Sequence, residues 1–184
     1  PRGVALIPTF ATTTDADGVV VNLYDAGTAR LTLHDQTAVT LTTETEYPSK
    51  ERIRITVEPA ATKSFTVKLR IPAWCRDAKL EVNGQKVTAP PDAKGYRTIN
   101  RQWKKGDRIT LRLKLEPRVM AGDHSNQGKV AVMYGPLVLA ADEALLGKLS
   151  LAKIQGSSTK AQNIPLNAIA VPGRDGLAAR QAID

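Results

Sequence analysis

Two carboxylates that lie close together in the chain, Asp15 and Asp17, are the first residues that could do acid–base chemistry. Hydrolysis of a glycosidic bond uses two carboxyl groups across a cleft, and one of them needs a raised pKa. Asp15 and Asp17 directly precede Gly18 and a predicted strand, where aspartate favours turn formation. The sequence therefore favours a turn over a catalytic pair.

One cysteine and two histidines are the candidates for nucleophilic or metal chemistry. Cys75 follows Trp74 just past a predicted strand without a local histidine signature, which favours a half-buried structural thiol over a nucleophile. His34 lies beside Asp35 in a predicted turn, where a surface hydrogen bond is favoured over catalysis. His124 is far from His34 in sequence, so no metal-ligand spacing exists, and a lone cysteine forms no internal disulfide. We expect no catalytic residue, no metal and no cofactor in this chain.

Three aromatic residues, Trp74, Tyr96 and Trp103, are candidates for carbohydrate contact, because an indole or phenol ring can stack on a sugar ring. Aromatic residues make up only 4% of the chain, and tryptophans are often buried anchors of a core or a domain interface. A sugar-binding surface requires the rings to be exposed on one face, whereas an anchoring role requires them to be buried. The sequence favours anchors and leaves the binding surface open.

The net charge of +8 is concentrated in the middle of the chain. Residues 50–118 carry 18 Lys and Arg against 7 Asp and Glu, whereas residues 1–49 carry 2 against 6. Clustered cations can bind phosphate, but most of these alternate with apolar residues, and few aromatic residues accompany them. A solvated outer sheet face, with cations that discourage edge-to-edge association of strands, is favoured over nucleic-acid binding.

Alternation of apolar and polar residues dominates residues 19–118 and predicts antiparallel strands with one buried face. The alternation is strict in three segments, residues 52–57, 65–71 and 108–115. Three further segments are rich in Val, Thr and Leu and are separated by breaks of hairpin length, so they predict a meander. These are residues 19–24, 28–33 and 38–45.

Turn-forming residues predict two of the connections between these strands. Asn83-Gly84 predicts a type I′ hairpin between residues 79–82 and 85–87. Lys105-Gly106-Asp107 predicts a second turn, after Trp103.

The last third of the chain has a different pattern. Residues 129–140 form an apolar run interrupted by Gly135-Pro136, which predicts a strand buried on both faces that kinks or ends there. Beyond residue 148 the periodicity is weak and indicates one further strand, near residues 167–171.

About eight short strands, with no amphipathic helix of 10 residues between them, predict an all-β fold. We expect an antiparallel β-sandwich, either single or divided into two small sandwiches that share strands. The chain begins at Pro1 and contains no apolar run near the roughly 20 residues of a membrane span, which indicates a segment of a longer protein without a membrane partner.

The expected domain limits follow from these patterns. Residues 1–16 would be the end of a preceding domain or a linker, and residues 17–72 a first β-sandwich to which residues 129–143 would return. Residues 73–128 would form a second β-sandwich, and residues 144–184 an irregular, truncated C-terminal segment.

The order and spacing of several motifs resemble the β-L-arabinofuranosidase-type enzymes of glycoside hydrolase family 127. The motifs are residues 69–75 (Leu-Arg-Ile-Pro-Ala-Trp-Cys), 80–84 (Leu-Glu-Val-Asn-Gly), Gly95-Tyr96 with Ile99, and 101–107 (Arg-Gln-Trp-Lys-Lys-Gly-Asp). Residues 17–24, 43–48 and 130–139 resemble flanking strands of the same family. The resemblance covers about residues 17–143.

This resemblance implies a parent protein with an N-terminal (α/α)6 barrel that carries catalysis and two β-sandwich domains that brace it. Family members use a cysteine nucleophile near a zinc ion held by Cys and Glu, all within the barrel. No position here matches those residues, and Cys75 belongs to a downstream motif, so any zinc would lie in the parent's barrel.

The resulting expectation is a non-catalytic accessory sandwich, partnered in cis by the barrel of an enzyme acting on arabinofuranosyl or related plant glycans. The alternatives are an autonomous carbohydrate-binding module and, less favoured, a basic nucleic-acid-binding β-domain.

Overall fold

The computed structural model describes residues 6–127, 130–139, 167–170 and 179–182. The chain divides into two compact units, Pro1–Lys114 and Leu115–Asp184. In the described ranges, none of the helices has the length and apolar character needed to cross a lipid bilayer.

In its described residues, 6–114, the first unit contains a short helix followed by two β-sheets. The helix is α1 (Ile7–Ala11). The strands are β1 (Thr12–Thr14), β2 (Gly18–Val21), β3 (Gly27–Thr32), β4 (Ala38–Thr45), β5 (Arg52–Pro59), β6 (Lys63–Arg70), β7 (Ala78–Val82), β8 (Gln85–Lys86), β9 (Tyr96–Trp103) and β10 (Asp107–Leu113). Sheet A has the order β1-β2-β6-β9, and sheet B has the order β3-β4-β5-β10-β7-β8.

The strictly alternating segments form the centre of this unit, and the predicted all-β sandwich is confirmed. Ile53 and Ile55 of β5 are fully buried, as are Ile109 and Leu111 of β10. The register pairs Ile55 with Ile109 and Ile53 with Leu111, so the same side of both strands faces the core. Each such side chain contributes about 1.5–3 kcal/mol when it is fully buried, and the layer between the sheets therefore stabilises the fold.

The predicted meander is correct for β3 and β4 and wrong for β2. β3 pairs with β4, and β4 with β5, all antiparallel. β2 instead lies in sheet A, where it pairs in parallel with β6. Residues between β2 and β3 thus connect the two sheets. The alternation of buried Val19 and Val21 defines which face of β2 is apolar, but it does not define the neighbouring strand.

The expected domain limits near residues 16 and 72 are also corrected by the strand pairing. β1, within the expected linker 1–16, is an edge strand of sheet A and pairs with β2. β6 and β9 lie on opposite sides of residue 72 and pair along eight residues, from Lys63–Trp103 to Arg70–Tyr96. Both sheets therefore contain strands from each side of the expected boundary, and the described residues before Lys114 form one sandwich unit.

The predicted turns are confirmed. Asn83 and Gly84 connect β7 and β8 with φ angles of 52° and 78°, which is the positive-φ pair that a type I′ turn requires. Gly106 has a φ of 85° between β9 and β10.

The second unit contains short strands and one 3-10 helix, at His124–Asn126. Its strands are β11 (Pro117–Ala121), β12 (Val130–Tyr134), β13 (Leu137–Leu139), β14 (Asn167–Ala170) and β15 (Ala179–Ala182). β11, β12 and β13 form one antiparallel sheet, and β14 pairs with β15. The strand predicted near 167–171 is confirmed by β14, whereas β15 lacks a sequence signal. Most of the expected irregular segment 144–184 lies outside the described residues.

The prediction for residues 129–140 is correct in that a strand, β12, ends at Gly135-Pro136, and wrong in that residues 131–134 of this strand are half-buried and not buried on both faces. Gly135, with a φ of 55°, and Pro136 form a turn between β12 and β13, which pair with each other. Val138 is 66% exposed. The apolar run therefore folds back on itself as a hairpin; residues 128, 129 and 140 lie outside the described ranges.

Asp107 connects the β7–β8 turn with the β9–β10 turn through part-buried hydrogen bonds. Its side chain is 2% exposed and accepts hydrogen bonds from the Asn83 side-chain amide at 2.9 Å and from the Lys104 backbone N–H at 3.1 Å. The Arg101 guanidinium lies 3.8 Å away. Burial acts to raise the pKa of Asp107, but Asn83, Lys104 and Arg101 outweigh it and lower the pKa below 3.8.

Substituting Gly18 is expected to disrupt the parallel pairing of β2 and β6. A Cβ at position 18 would lie 2.1 Å from the Thr66 carbonyl oxygen, which cannot retreat without breaking the sheet. Gly18→Ala should lower the free energy of unfolding by at least about 2 kcal/mol. Gly27→Ala is the matched control, because Gly27 has a similar φ of +158° against +153° but meets nothing within 4 Å. If urea unfolding shows that Gly18→Ala and Gly27→Ala lose equal unfolding free energy, the contact with Thr66 is unimportant.

Replacing Asp107 is expected to have a pH-dependent cost. Asp107→Asn should lower the free energy of unfolding at pH 7 by about 1–3 kcal/mol, because the amide cannot satisfy all the donors that surround it. A lowered folded-state pKa stabilises the fold above the unfolded-state pKa, and this stabilisation is lost as the pH falls through the folded-state value. The difference in unfolding free energy between the original chain and Asp107→Asn, measured by urea unfolding, should therefore shrink in acid. The exposed Asp25→Asn variant should differ little from the original chain at either pH. A difference in unfolding free energy between the original chain and Asp107→Asn that persists in acid would contradict this account.

Candidate functional site

Asp15 and Asp17 form the predicted turn and not a catalytic pair. The Asp15 carboxylate accepts the backbone N–H groups of Asp17 and Gly18 at 3.0 and 3.1 Å. Lys68 of β6 donates to Asp15 at 2.7 Å and to Asp17 at 2.6 Å. Burial acts to raise the pKa of Asp15, but the Lys68 bond and the turn amides outweigh it and lower the pKa. A catalytic acid needs the opposite shift.

The turn at His34 and Asp35 is also confirmed. Asp35 accepts a hydrogen bond from the Lys63 ammonium group and one from the Thr37 backbone N–H at 3.1 Å. The Lys63 bond, with further bonds from Thr37, lowers the pKa of Asp35 to about 2. The His34 side chain is exposed, and its predicted surface hydrogen bond stays a prediction.

Cys75 lies at the border of the core. It is 9% exposed, and its thiol donates to the Asp77 carbonyl oxygen at 3.5 Å. Burial raises the pKa of the Cys75 thiol, which lowers the thiolate population that a nucleophile requires. Within the described ranges, no three Cys, His, Asp or Glu side chains converge to hold a metal ion. Cys75 and its surroundings therefore do not fit the zinc and nucleophile arrangement implied for the parent's barrel.

The three aromatic candidates occupy different environments. Trp103 is 0% exposed, and its indole N–H donates to the Phe65 carbonyl oxygen at 3.0 Å. Trp74 is half-buried and packs against the core. Tyr96 is half-buried, and its hydroxyl donates to the Asn22 side chain at 2.6 Å. Trp103 anchors the core and has no ring face in solvent, so the three rings do not form one stacking platform.

A buried tyrosine was missed by the sequence patterns. Tyr24 is 8% exposed, its hydroxyl donates to the Arg70 carbonyl oxygen at 2.7 Å, and its ring meets Tyr47 edge to face at 6.2 Å. Burial raises the pKa of Tyr24 well above 10.0. The residue follows β2 at a sheet-to-sheet connection, where strand periodicity no longer applies.

Charged side chains lie together on strands β4 and β5 of sheet B and on the loop between them. A shallow depression of about 180 Å³ lies there, lined by Glu44, Thr45, Glu46, Lys50, Arg52 and Arg54. Two ion pairs cross it, Lys50–Glu46 at 2.8 Å and Arg54–Glu44 at 3.2 Å. The sequence showed that the outer face would be charged, but only strand register could show which charges meet.

The fold defines the class of the first unit as a mainly antiparallel β-sandwich domain in which Asp15, Asp35 and Asp107 accept hydrogen bonds at turns and Cys75 lies at the border of the core. Residues 18–115 match the β-L-arabinofuranosidase GH127 middle domain. The chain therefore belongs to glycoside hydrolase family 127, as its motifs indicated.

Solved structures agree with this assignment. A GH127 β-L-arabinofuranosidase from Geobacillus stearothermophilus T6 is 35% identical with a TM-score of 0.68, and it matches over 74% of this chain and 22% of its own length. A structure described as a glycoside hydrolase is 33% identical with a TM-score of 0.68, over 74% of this chain and 23% of its own. A GH127 β-arabinofuranosidase is 34% identical with a TM-score of 0.60, over 66% and 22%. The chain thus spans less than a quarter of these relatives. No curated protein matches it.

Burial should make Cys75 slow to react. Ellman's reagent is expected to modify the folded chain at least about tenfold more slowly than the chain in urea, because the thiol is covered and its pKa is raised. Cys75 is the single cysteine, so the signal is unambiguous. Cys75→Ser serves as the blank. Equal rates in the folded and unfolded states would contradict a buried thiol.

Proposed function

We propose that this chain is a non-catalytic accessory β-sandwich of a larger glycoside hydrolase that acts on arabinofuranosyl or related plant glycans. Its partner in cis would be the (α/α)6 barrel that carries catalysis. The observation that carries this proposal is the match of residues 18–115 to a middle domain that makes up a small part of its solved relatives. The structural roles of Asp15, Asp17 and Cys75 support it.

An apolar surface beside the sandwich supports contact with a preceding domain. Leu6, Ile7 and Phe10 at helix α1, together with Leu23, are 53, 40, 45 and 42% exposed. The helix is fixed to the sandwich, because the backbone N–H of Leu23 donates to the Ala11 carbonyl oxygen at 3.1 Å. Leu6, Ile7 and Phe10 precede the matched middle domain, which begins at residue 18, and Leu23 lies near its start, where the chain would meet the preceding barrel. Clustered apolar side chains on a fixed element are typical of a docking surface.

The burial of Trp103 argues against the alternative of an autonomous carbohydrate-binding module. Because it is buried, the Trp103 ring cannot stack on a sugar. The other two candidate rings, Trp74 and Tyr96, make contacts within the sandwich. Any glycan contact would therefore rely on hydrogen bonds and charge more than on stacking.

A domain exchange tests the accessory role. Residues 6–115 would replace the corresponding segment of the Geobacillus stearothermophilus relative. The exchanged enzyme should hydrolyse an aryl arabinofuranoside with a kcat/KM within about tenfold of that of the relative, whereas the 184-residue chain alone should show no turnover. Activity of the chain alone that follows the protein through purification would overturn the proposal.

A paired substitution tests the docking surface in the same enzyme. Phe10→Ser with Leu23→Ser should lower the melting temperature of the exchanged enzyme by a few degrees and leave that of the isolated chain nearly unchanged, because both side chains are exposed there. Equal decreases in melting temperature in both proteins would indicate a defect within the sandwich. No decrease in either protein would contradict the docking surface.

A further inference from the structure

Three cations lie in one row across the outer face of sheet B. Arg112 of β10 pairs in register with Arg52 of β5 on one side and with Lys79 of β7 on the other. All three side chains are exposed, opposite the buried face that holds Ile53 and Leu111. Neighbouring strands are about 4.8 Å apart, so this cationic row spans about 10 Å.

The acidic side chains beside Arg52, Glu44 and Glu46, already have partners, and Glu81 lies two residues from Lys79 on the same face of β7. Glu44 pairs with Arg54, and Glu46 pairs with Lys50. Within residues 6–127 and 130–139, no ion pair connects Arg52, Lys79 or Arg112 to an acid. Among the described residues, the three cations of the row therefore lack a directly paired acid, and the row lies beside a surface of paired charges.

Other rows of the same face are arranged differently. Thr110 separates Arg54 from Glu81, and Arg108 lies opposite Thr56. Like charges placed directly opposite each other on neighbouring strands destabilise a sheet. Protection of a sheet edge cannot account for this cost, because β5 and β10 are interior strands of sheet B.

We propose that the cationic row binds an anionic polysaccharide through its carboxylate groups. A guanidinium group binds a carboxylate in a bidentate manner, and two of the three residues are arginines. The three side chains of the row are exposed, which suits an extended polymer better than an enclosed small molecule. Arg52 also borders the depression of about 180 Å³, which extends the polar surface beyond the row.

The same row could attract nucleic acid, but the structure favours a glycan. Binding of single-stranded nucleic acid relies on aromatic rings that stack with bases. The six strands of sheet B contain no aromatic residue. The choice of a glycan among polyanions rests on the proposed function, whereas the anion site rests on the row alone.

Binding of the 184-residue chain to polygalacturonate, measured by calorimetry at low and high ionic strength, tests the proposal. The chain should bind polygalacturonate at low salt and more weakly at high salt, and it should bind neutral arabinan far less. The variant with Arg52→Gln, Lys79→Gln and Arg112→Gln should raise the Kd at least about tenfold. Arg112→Gln alone, at the centre of the row, should give an intermediate rise.

A matched variant separates the row from general charge attraction. Arg30→Gln, Lys86→Gln and Arg108→Gln remove the same charge from the same sheet outside the row, and should change the Kd less than about threefold. The melting temperature of the row variant should equal or exceed that of the original chain, because repulsion between like charges is removed.

Four outcomes would overturn the proposal: no binding at low salt, equal loss in both triple variants, a row variant that melts well below the original chain, or tighter binding of duplex DNA than of polygalacturonate. The last outcome would assign the row to nucleic acid. None of them affects the domain exchange, which measures catalysis and stability and leaves the row intact, so failure of this site and failure of the accessory role are distinguishable.

Discussion

The apolar layer between sheets A and B is the constraint on which the rest of the sandwich depends. Ile53, Ile55 and Val57 of β5 and Ile109 and Leu111 of β10 are all fully buried. Since side chains alternate along a strand, every residue that faces this layer places its neighbours on an outer surface. Polar groups on the strands therefore lie on outer faces, and others must lie at turns or at the ends of the sandwich. Asp15, Asp35 and Asp107 accordingly accept hydrogen bonds at turns, and the Cys75 thiol lies at the border of the core.

Strand periodicity predicted much of this arrangement because it is a local property of the sequence. The strict alternation in β5, β6 and β10 shows which side chains are buried, and Asn83-Gly84 determines its own turn. The neighbour of a strand is a non-local property. Val19 and Val21 specify the buried face of β2 equally well beside β3 or beside β6. Gly18 permits the second arrangement, because its missing Cβ lets β2 approach Thr66, but a glycine before a strand is equally typical of a turn.

The candidate site was predictable by residue type and not by position. The sequence identified Trp103 as a candidate ring and favoured an anchor, and its hydrogen bond to the Phe65 carbonyl within the core fixes the buried position. It also predicted a charged outer face. It could not predict the cationic row, because Arg52, Lys79 and Arg112 are distant in the chain and meet only through the registers of β5, β10 and β7.

A sheet can carry many cations without cost when each lies opposite a threonine or an acid, as Arg54 and Arg108 do. An uninterrupted row on interior strands is different, because nothing in the packing of the core requires its charges and the sheet would be more stable without them. Such a row lowers the stability of the fold and adds a surface that folding does not require. Residues of this kind are typical of binding sites and not of the scaffold that supports them. A brace for a catalytic domain needs only its core and its docking surface. The cationic row is therefore the basis of the proposed charged-ligand site, which goes beyond what the proposed accessory role alone requires.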